Sequence, residues 1–159
     1  MNHAGKYWHD FYKRNTTNFY KDRHYLHIVF PELAPISEES VKSDQPILML
    51  EVGCGVGNAV LPLVEVNPSL QVFAVDFAKS AIDILRSHPL AGAGPGRVSA
   101  YVCDIIRDAL PPEIPTGALD IVLCFFVLSA IPPQVYCLYS YMKSAPSVPF
   151  PVNDSLRYI

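Results

Sequence analysis

The feature that most constrains this chain is an apolar run that ends in a glycine turn. Ile47-Leu48-Met49-Leu50-Glu51-Val52 leads directly into Gly53-Cys54-Gly55-Val56-Gly57. A short, nearly continuous apolar run bounded by glycines reads as a strand buried on both faces. The glycines permit a tight turn and let a ligand approach the backbone with no Cβ in the way. Residues 58–66 read as a short helix with Pro62 early enough to be tolerated. Gln71–Val75 reads as a second strand, and Ala78–Ser87 as a helix with Ala81, Ile82 and Leu85 on one face. A glycine-rich loop over 91–96 precedes a third strand, Val98–Cys103, and a fourth, Ile121–Leu128. Strands alternating with helices at this spacing indicate an α/β fold, a parallel sheet covered on both faces.

Ligands of open α/β sheets bind beyond the carboxyl ends of the strands. Gly53, Gly55 and Gly57 lie at one such end. Asp76 closes the second strand, nineteen residues past Gly57, where an acceptor pair for ribose hydroxyls belongs. Asp104 closes the third strand, where it could accept a hydrogen bond from an adenine amine. Asp120 begins the fourth strand, at the opposite edge of the sheet, and reads as a turn or cap residue. The glycine spacing is GxGxG and not the GxGxxG that sets pyrophosphate on a helix N-terminus. Glu51 precedes the turn, where a carboxylate organises the loop or faces a cation and would repel pyrophosphate. Both features favour S-adenosylmethionine over a dinucleotide, and so disfavour a nicotinamide-dependent oxidoreductase.

The chain has 159 residues, half of them apolar, enough for one domain with its own core. Its longest apolar run, Ile121–Ile131 with one serine, is about half the roughly 20 residues of a membrane helix. No apolar signal-peptide core follows Met1, so the expected location is cytoplasmic, with the nucleus as the alternative, and no membrane partner is expected. Cys54, Cys103, Cys124 and Cys137 form no CxxC pair and read as buried thiols, with no metal site. The net charge of −3 conceals an asymmetry. Residues 1–30 carry Lys6, Lys13, Arg14, Lys21 and Arg23 against Asp10 and Asp22, and the remainder is acidic. In this basic head, Tyr7, Trp8, Phe11 and Tyr12 fall at helical spacing, and Leu26, Val29 and Phe30 suggest a second short helix closed by Pro31.

Several segments together resemble the tRNA 3-methylcytidine methyltransferases, a branch of the class I methyltransferases. They are residues 6–15 (KYWHDFYKRN), 19–26 (FYKDRHYL), 30–33 (FPEL), 50–58 (LEVGCGVGN), Asp76-Phe77, and 126–131 (FVLSAI). The resemblance implies a Rossmann-like, S-adenosylmethionine-dependent methyltransferase fold with an N-terminal helical head. It implies that Trp8 and Tyr12 fold over the cofactor, Gly53 lies against its methionine part, Asp76 on the ribose and Asp104 near the adenine. Phe125 takes a pocket position at the end of strand four. The implied reaction is methyl transfer to N3 of cytidine in a tRNA anticodon loop. The cytosine N3 lone pair is free, so no general base is demanded, and no catalytic residue is assigned. Lys13, Arg14, Lys21 and Arg23 are the candidates for tRNA phosphates. A tRNA synthetase or another protein subunit is a further candidate partner.

The family pattern ends near Pro133. A class I sheet has seven strands ordered 3-2-1-4-5-7-6, and the sequence offers strands 1–4 of them. The expected organisation is a head over 1–33, a linker over 34–46, an incomplete cofactor-binding domain over 47–133 and a divergent, poorly ordered tail over 134–159. Strand four is expected to be an exposed edge. On these grounds the chain is expected to be a shortened form of a longer enzyme, with binding of cofactor or tRNA without turnover as the alternative.

Overall fold

A computed structural model of the chain describes residues 3–15, 21–35, 45–91, 96–115, 117–127 and 157–158. Five strands form one parallel sheet in the order β3-β2-β1-β4-β5: β1 Ile47–Val52, β2 Leu70–Asp76, β3 Val98–Val102, β4 Ile121–Cys124 and β5 Arg157–Tyr158. Between them run α3 (Val60–Val66) and α4 (Lys79–Arg86), while α1 (His3–Asn15) and α2 (Leu26–Val29) precede the sheet. A turn of 3₁₀ helix over Pro31–Leu33 follows α2, as expected where Pro31 stops the α-helical pattern.

Two of the sheet expectations change. Strand four stops at Cys124, four residues before the end read from its apolar run, and Phe126 turns the chain with φ 60°. Apolarity marks burial and does not distinguish a strand from the turn that leaves it. The β4 edge is also not bare, because Ile121 and Val122 pair with Arg157 and Tyr158. Among the described residues the sheet therefore has five strands where four were expected. Two residues of β-structure give no period to read in a sequence, so β5 carries no signal there.

Each sheet face carries its own core, because successive side chains of a strand point to opposite sides. Met49, Val72, Ala74, Ile121 and Leu123 pack against Leu26, Leu33, Val60, Leu63, Ile82 and Leu85. That face is covered by α2, the 3₁₀ turn, α3 and α4. Leu50, Val52, Phe73, Val75 and Val122 face the other way, against Cys103, Ile114 and Leu119 of the β3–β4 connection. Full burial of each such Leu or Val contributes about 1.5–3 kcal/mol. Buried Asn67, at the end of α3, donates from Nδ2 to the Leu33 and Ala34 carbonyls and accepts the Ser69 N–H. This ties the segment before the sheet to α3. Among the described residues no helix is long and apolar enough to cross a membrane.

The carboxyl edge of the sheet as a candidate ligand site

The turn after β1 is built by three left-handed glycines, with φ of 70° at Gly53, 54° at Gly55 and 95° at Gly57. Only glycine adopts such angles without steric cost. The Gly53 and Cys54 amides both donate to the Val75 carbonyl, at 2.8 and 3.1 Å, which locks the turn onto β2.

Asp76 fixes the next part of the loop. Its Oδ2 accepts the Gly55 N–H at 2.9 Å and its Oδ1 the Ala78 N–H at 2.8 Å. One carboxylate thus bridges the glycine turn and the start of α4. It is 7% exposed. Burial pushes its pKa above the usual carboxylate range, against the two amide bonds that lower it. The Asp76 carbonyl accepts the Cys103 N–H at 2.9 Å, which brings Asp104 to the same edge. Asp104 caps its own turn: Oδ1 accepts the Ile106 N–H at 3.1 Å, and its own N–H donates to Asp108 Oδ2 at 2.8 Å. Asp120 stands at the other edge, where Oδ2 accepts the Leu48 N–H at 2.9 Å. That is the capping task read for it from sequence.

Glu51 is 4% exposed, on the face of β1 shared with Met49. It accepts a hydrogen bond from the Val60 N–H, while Oε2 has no partner among the described residues. Burial first, and then the neighbouring Asp76, raise its pKa from 4.5 to about 8, with Arg23 opposing. A buried carboxyl with an unpaired oxygen beside a second carboxylate is a place where a cation is stabilised.

The head roofs this edge. Tyr12 is buried with Val56, Ala78 and Ala81, so α1 lies on the glycine turn and α4. A Cβ on Gly55 would lie 2.7 Å from the Tyr12 hydroxyl oxygen. Trp8 stacks on Tyr12 with ring centroids 5.9 Å apart, and Phe11 packs edge-on to both. Ser80 Oγ donates to the His9 carbonyl and holds α1 against α4.

The basic candidates separate. Lys13, Arg14 and Lys21 are exposed. Arg23 points inward, its guanidinium 4.7 Å from the Phe125 ring centroid and 4.9 Å from that of Phe126. Its backbone N–H donates to the Asn58 carbonyl, and Asn58 Nδ2 donates to Asp22. Phe125 thus sits at the β4 exit under Arg23. Sequence reasoning assigns no site role to Asn58, Ser80, Phe126 or Val127, although Asn58, Phe126 and Val127 lie in segments that carry the resemblance. Asn58 carries a local signal besides, as the polar residue that ends the glycine turn.

The chain is similar to proteins named as methyltransferases. The human tRNA N(3)-cytidine methyltransferase METTL6 is 40% identical over 152 residues, 92% of this chain and 52% of the relative. The tRNA N(3)-methylcytidine methyltransferase trm141 of Schizosaccharomyces pombe is 42% identical over 127 residues, 80% of this chain and 48% of the relative. The chain spans about half the length of these curated relatives. Among solved structures, phosphoethanolamine N-methyltransferase 1 of Haemonchus contortus superposes with a TM-score of 0.58 at 15% identity, over 86% of this chain and 28% of that one. This likeness shows the fold, the incomplete Rossmann-like fold of class I methyltransferases. A family model described as a methyltransferase domain matches residues 50–144. That match takes in the glycine turn, Asp76 and Asp104 and more than half of the sequence, and the chain therefore belongs to the methyltransferase domain family.

Proposed function

We propose that this chain forms the donor-binding part of an S-adenosylmethionine-dependent methyltransferase that makes 3-methylcytidine in the anticodon loop of tRNA. The observation that carries the reading is the similarity to tRNA N(3)-cytidine methyltransferases, at about 40% identity over 92% of the chain. The local chemistry fits the donor. The orphaned Glu51 oxygen and the buried Asp76 suit a ligand with cationic groups and hydroxyls. The Trp8 and Tyr12 rings suit a sulfonium, which an aromatic face attracts.

S-adenosylmethionine supplies a methyl group already activated by the sulfonium. The protein's part is to hold, align and exclude water. Asp76 would take the ribose hydroxyls while its amide bonds keep it fixed. Glu51 would balance the positive end, and Asp104 would take the adenine edge. Trp8 and Tyr12 would close the roof. Cytosine N3 offers its lone pair without losing a proton, so the reaction needs no general base. The exposed Lys13, Arg14 and Lys21 would meet tRNA phosphates. Arg23, turned onto Phe125 and Phe126, is less available for that task. A tRNA synthetase or another subunit is a candidate partner under this proposal.

Transfer of a labelled methyl group from S-adenosylmethionine to tRNA tests the reading, with 3-methylcytidine as the expected product. A second reading is binding of the donor by these residues without turnover. It is the outcome if the chain binds the donor and transfers nothing.

A further inference from the structure

In an open α/β sheet the ligand crevice lies where the strand order reverses. With the order β3-β2-β1-β4-β5, that place is between β1 and β4. Gly53 leaves β1 there, and Val127 lies three residues past β4. The two meet across the crevice. A Cβ on Gly53 would lie 2.1 Å from Val127 Cγ2, and 3.3 and 3.4 Å from its Cβ and Cγ1. The isopropyl group thus rests directly on bare glycine backbone.

The turn that puts Val127 there is held in an unfavourable state. Phe126 has φ 60°, the one positive φ of a non-glycine residue among those described. A bulky side chain is disfavoured in that region and stays there only when its surroundings hold it. Its own side chain is 71% exposed, while its neighbours Phe125 and Val127 pack against the cores on the two faces of the sheet and hold the turn from either side. The Arg23 guanidinium, over both the Phe125 and Phe126 rings, adds a restraint from the head to the edge-on contact between those two rings. Arg23 is itself anchored by its amide to the Asn58 carbonyl, at the end of the glycine turn.

We infer that Val127 is a gating residue of the methyl-donor crevice. In this conformation its side chain covers the Gly53 backbone against which the methionyl end of S-adenosylmethionine is to lie. The turn over residues 125–127, latched by Arg23, must swing aside to admit it. The inference rests on the donor reading proposed above. Release of Phe126 from its left-handed angle favours the open position, and the Arg23 contact favours the closed one. Apparent donor affinity is then the intrinsic affinity reduced by the fraction of molecules that are open.

Titration calorimetry of the full chain with S-adenosylhomocysteine tests this, with thermal unfolding of each protein run alongside. Val127→Ala removes the methyl groups on Gly53. It is expected to bind about 3- to 10-fold more tightly than the wild type, with no gain in ligand-free thermal stability. Arg23→Gln releases the latch and is expected to tighten binding about 3-fold. The double variant is expected to gain less than the product of the two, because both act on one equilibrium. A residue that merely filled space would give weaker binding on truncation. If the wild type binds and Val127→Ala binds equally or more weakly, the gate is wrong while the donor reading stands. If neither the wild type nor Val127→Ala binds, the donor reading fails and takes the gate with it. Should Val127→Ala fail to fold, Arg23→Gln decides by the same criterion.

Discussion

Replacing Glu51 with Gln changes how stability depends on pH, in a direction fixed by which state holds the proton more tightly. The Glu51 carboxyl rises from 4.5 to about 8 on folding, chiefly because burial penalises its charged form. The folded protein therefore holds this proton more tightly than the unfolded chain does. The resulting stability is fully present below pH 4.5 and is lost as pH rises towards 8. Each tenfold difference in proton affinity between the two states is worth about 1.4 kcal/mol, so the loss across the window is on the order of 4 kcal/mol. That is a large part of the roughly 5–15 kcal/mol that holds a typical domain together. Glutamine keeps the shape and an acceptor for the Val60 N–H but does not titrate. Urea unfolding, followed by the fluorescence of Trp8, the single tryptophan, gives stability across the range from pH 5 to pH 8. The variant is expected to lie within about 1 kcal/mol of the wild type at pH 5, where both side chains are neutral. It is expected to be the more stable protein at pH 8, by up to about 4 kcal/mol. Asp76, whose pKa burial raises as well, leaves a slope of the same sign in both proteins. Parallel stability lines for the two proteins would refute the reasoning.

Three further outcomes follow from the same edge of the sheet. A ligand carrying the sulfonium charge favours ionised Glu51 and Asp76. The affinity ratio of S-adenosylmethionine to S-adenosylhomocysteine is therefore expected to rise between pH 6 and 8, as read by calorimetry, and to rise less in Glu51→Gln. Gly55→Ala combines a left-handed φ of 54° with a Cβ 2.7 Å from the Tyr12 hydroxyl. Urea unfolding is expected to show a loss of about 2–3 kcal/mol, with the roof helix displaced. Asp76→Asn can accept only one of the Gly55 and Ala78 amides with its oxygen, so the other meets an NH₂ group. That is expected to cost about 1–3 kcal/mol in urea unfolding and to weaken S-adenosylhomocysteine binding.

Much of this arrangement is legible in the sequence because it rests on local rules. The glycine turn follows from three residues that must adopt positive φ, and the β1-to-β3 order of strand and helix from apolar periodicity. Asp76 is readable because it ends an apolar strand that has no other reason to carry a charge. The helical spacing of Tyr7, Trp8, Phe11 and Tyr12 foretells α1, though not that Tyr12 lies against Gly55. The rest depends on contacts distant in sequence. Arg23 reads as a solvated base until Phe125 and Phe126, about a hundred residues later, are seen beneath it. Val127 looks like the seventh residue of a strand, since the turn at Phe126 is a backbone angle that no residue type announces. The Asp104 carboxylate, read as a ligand group, already serves its own turn, a local use that competes with any outside partner.

On the reading proposed here, the methyl donor lies where β1, β2 and β3 end, beneath α1. Amide chemical-shift mapping of the isotope-labelled chain during titration with S-adenosylhomocysteine puts that placement to the test. Saturable shifts are expected to centre on Gly53, Cys54, Gly55, Phe77 and Ala78, with the Trp8 indole N–H moving at the same ligand concentrations. Shifts confined to other surfaces, or none at saturating ligand in well-folded protein, would contradict it.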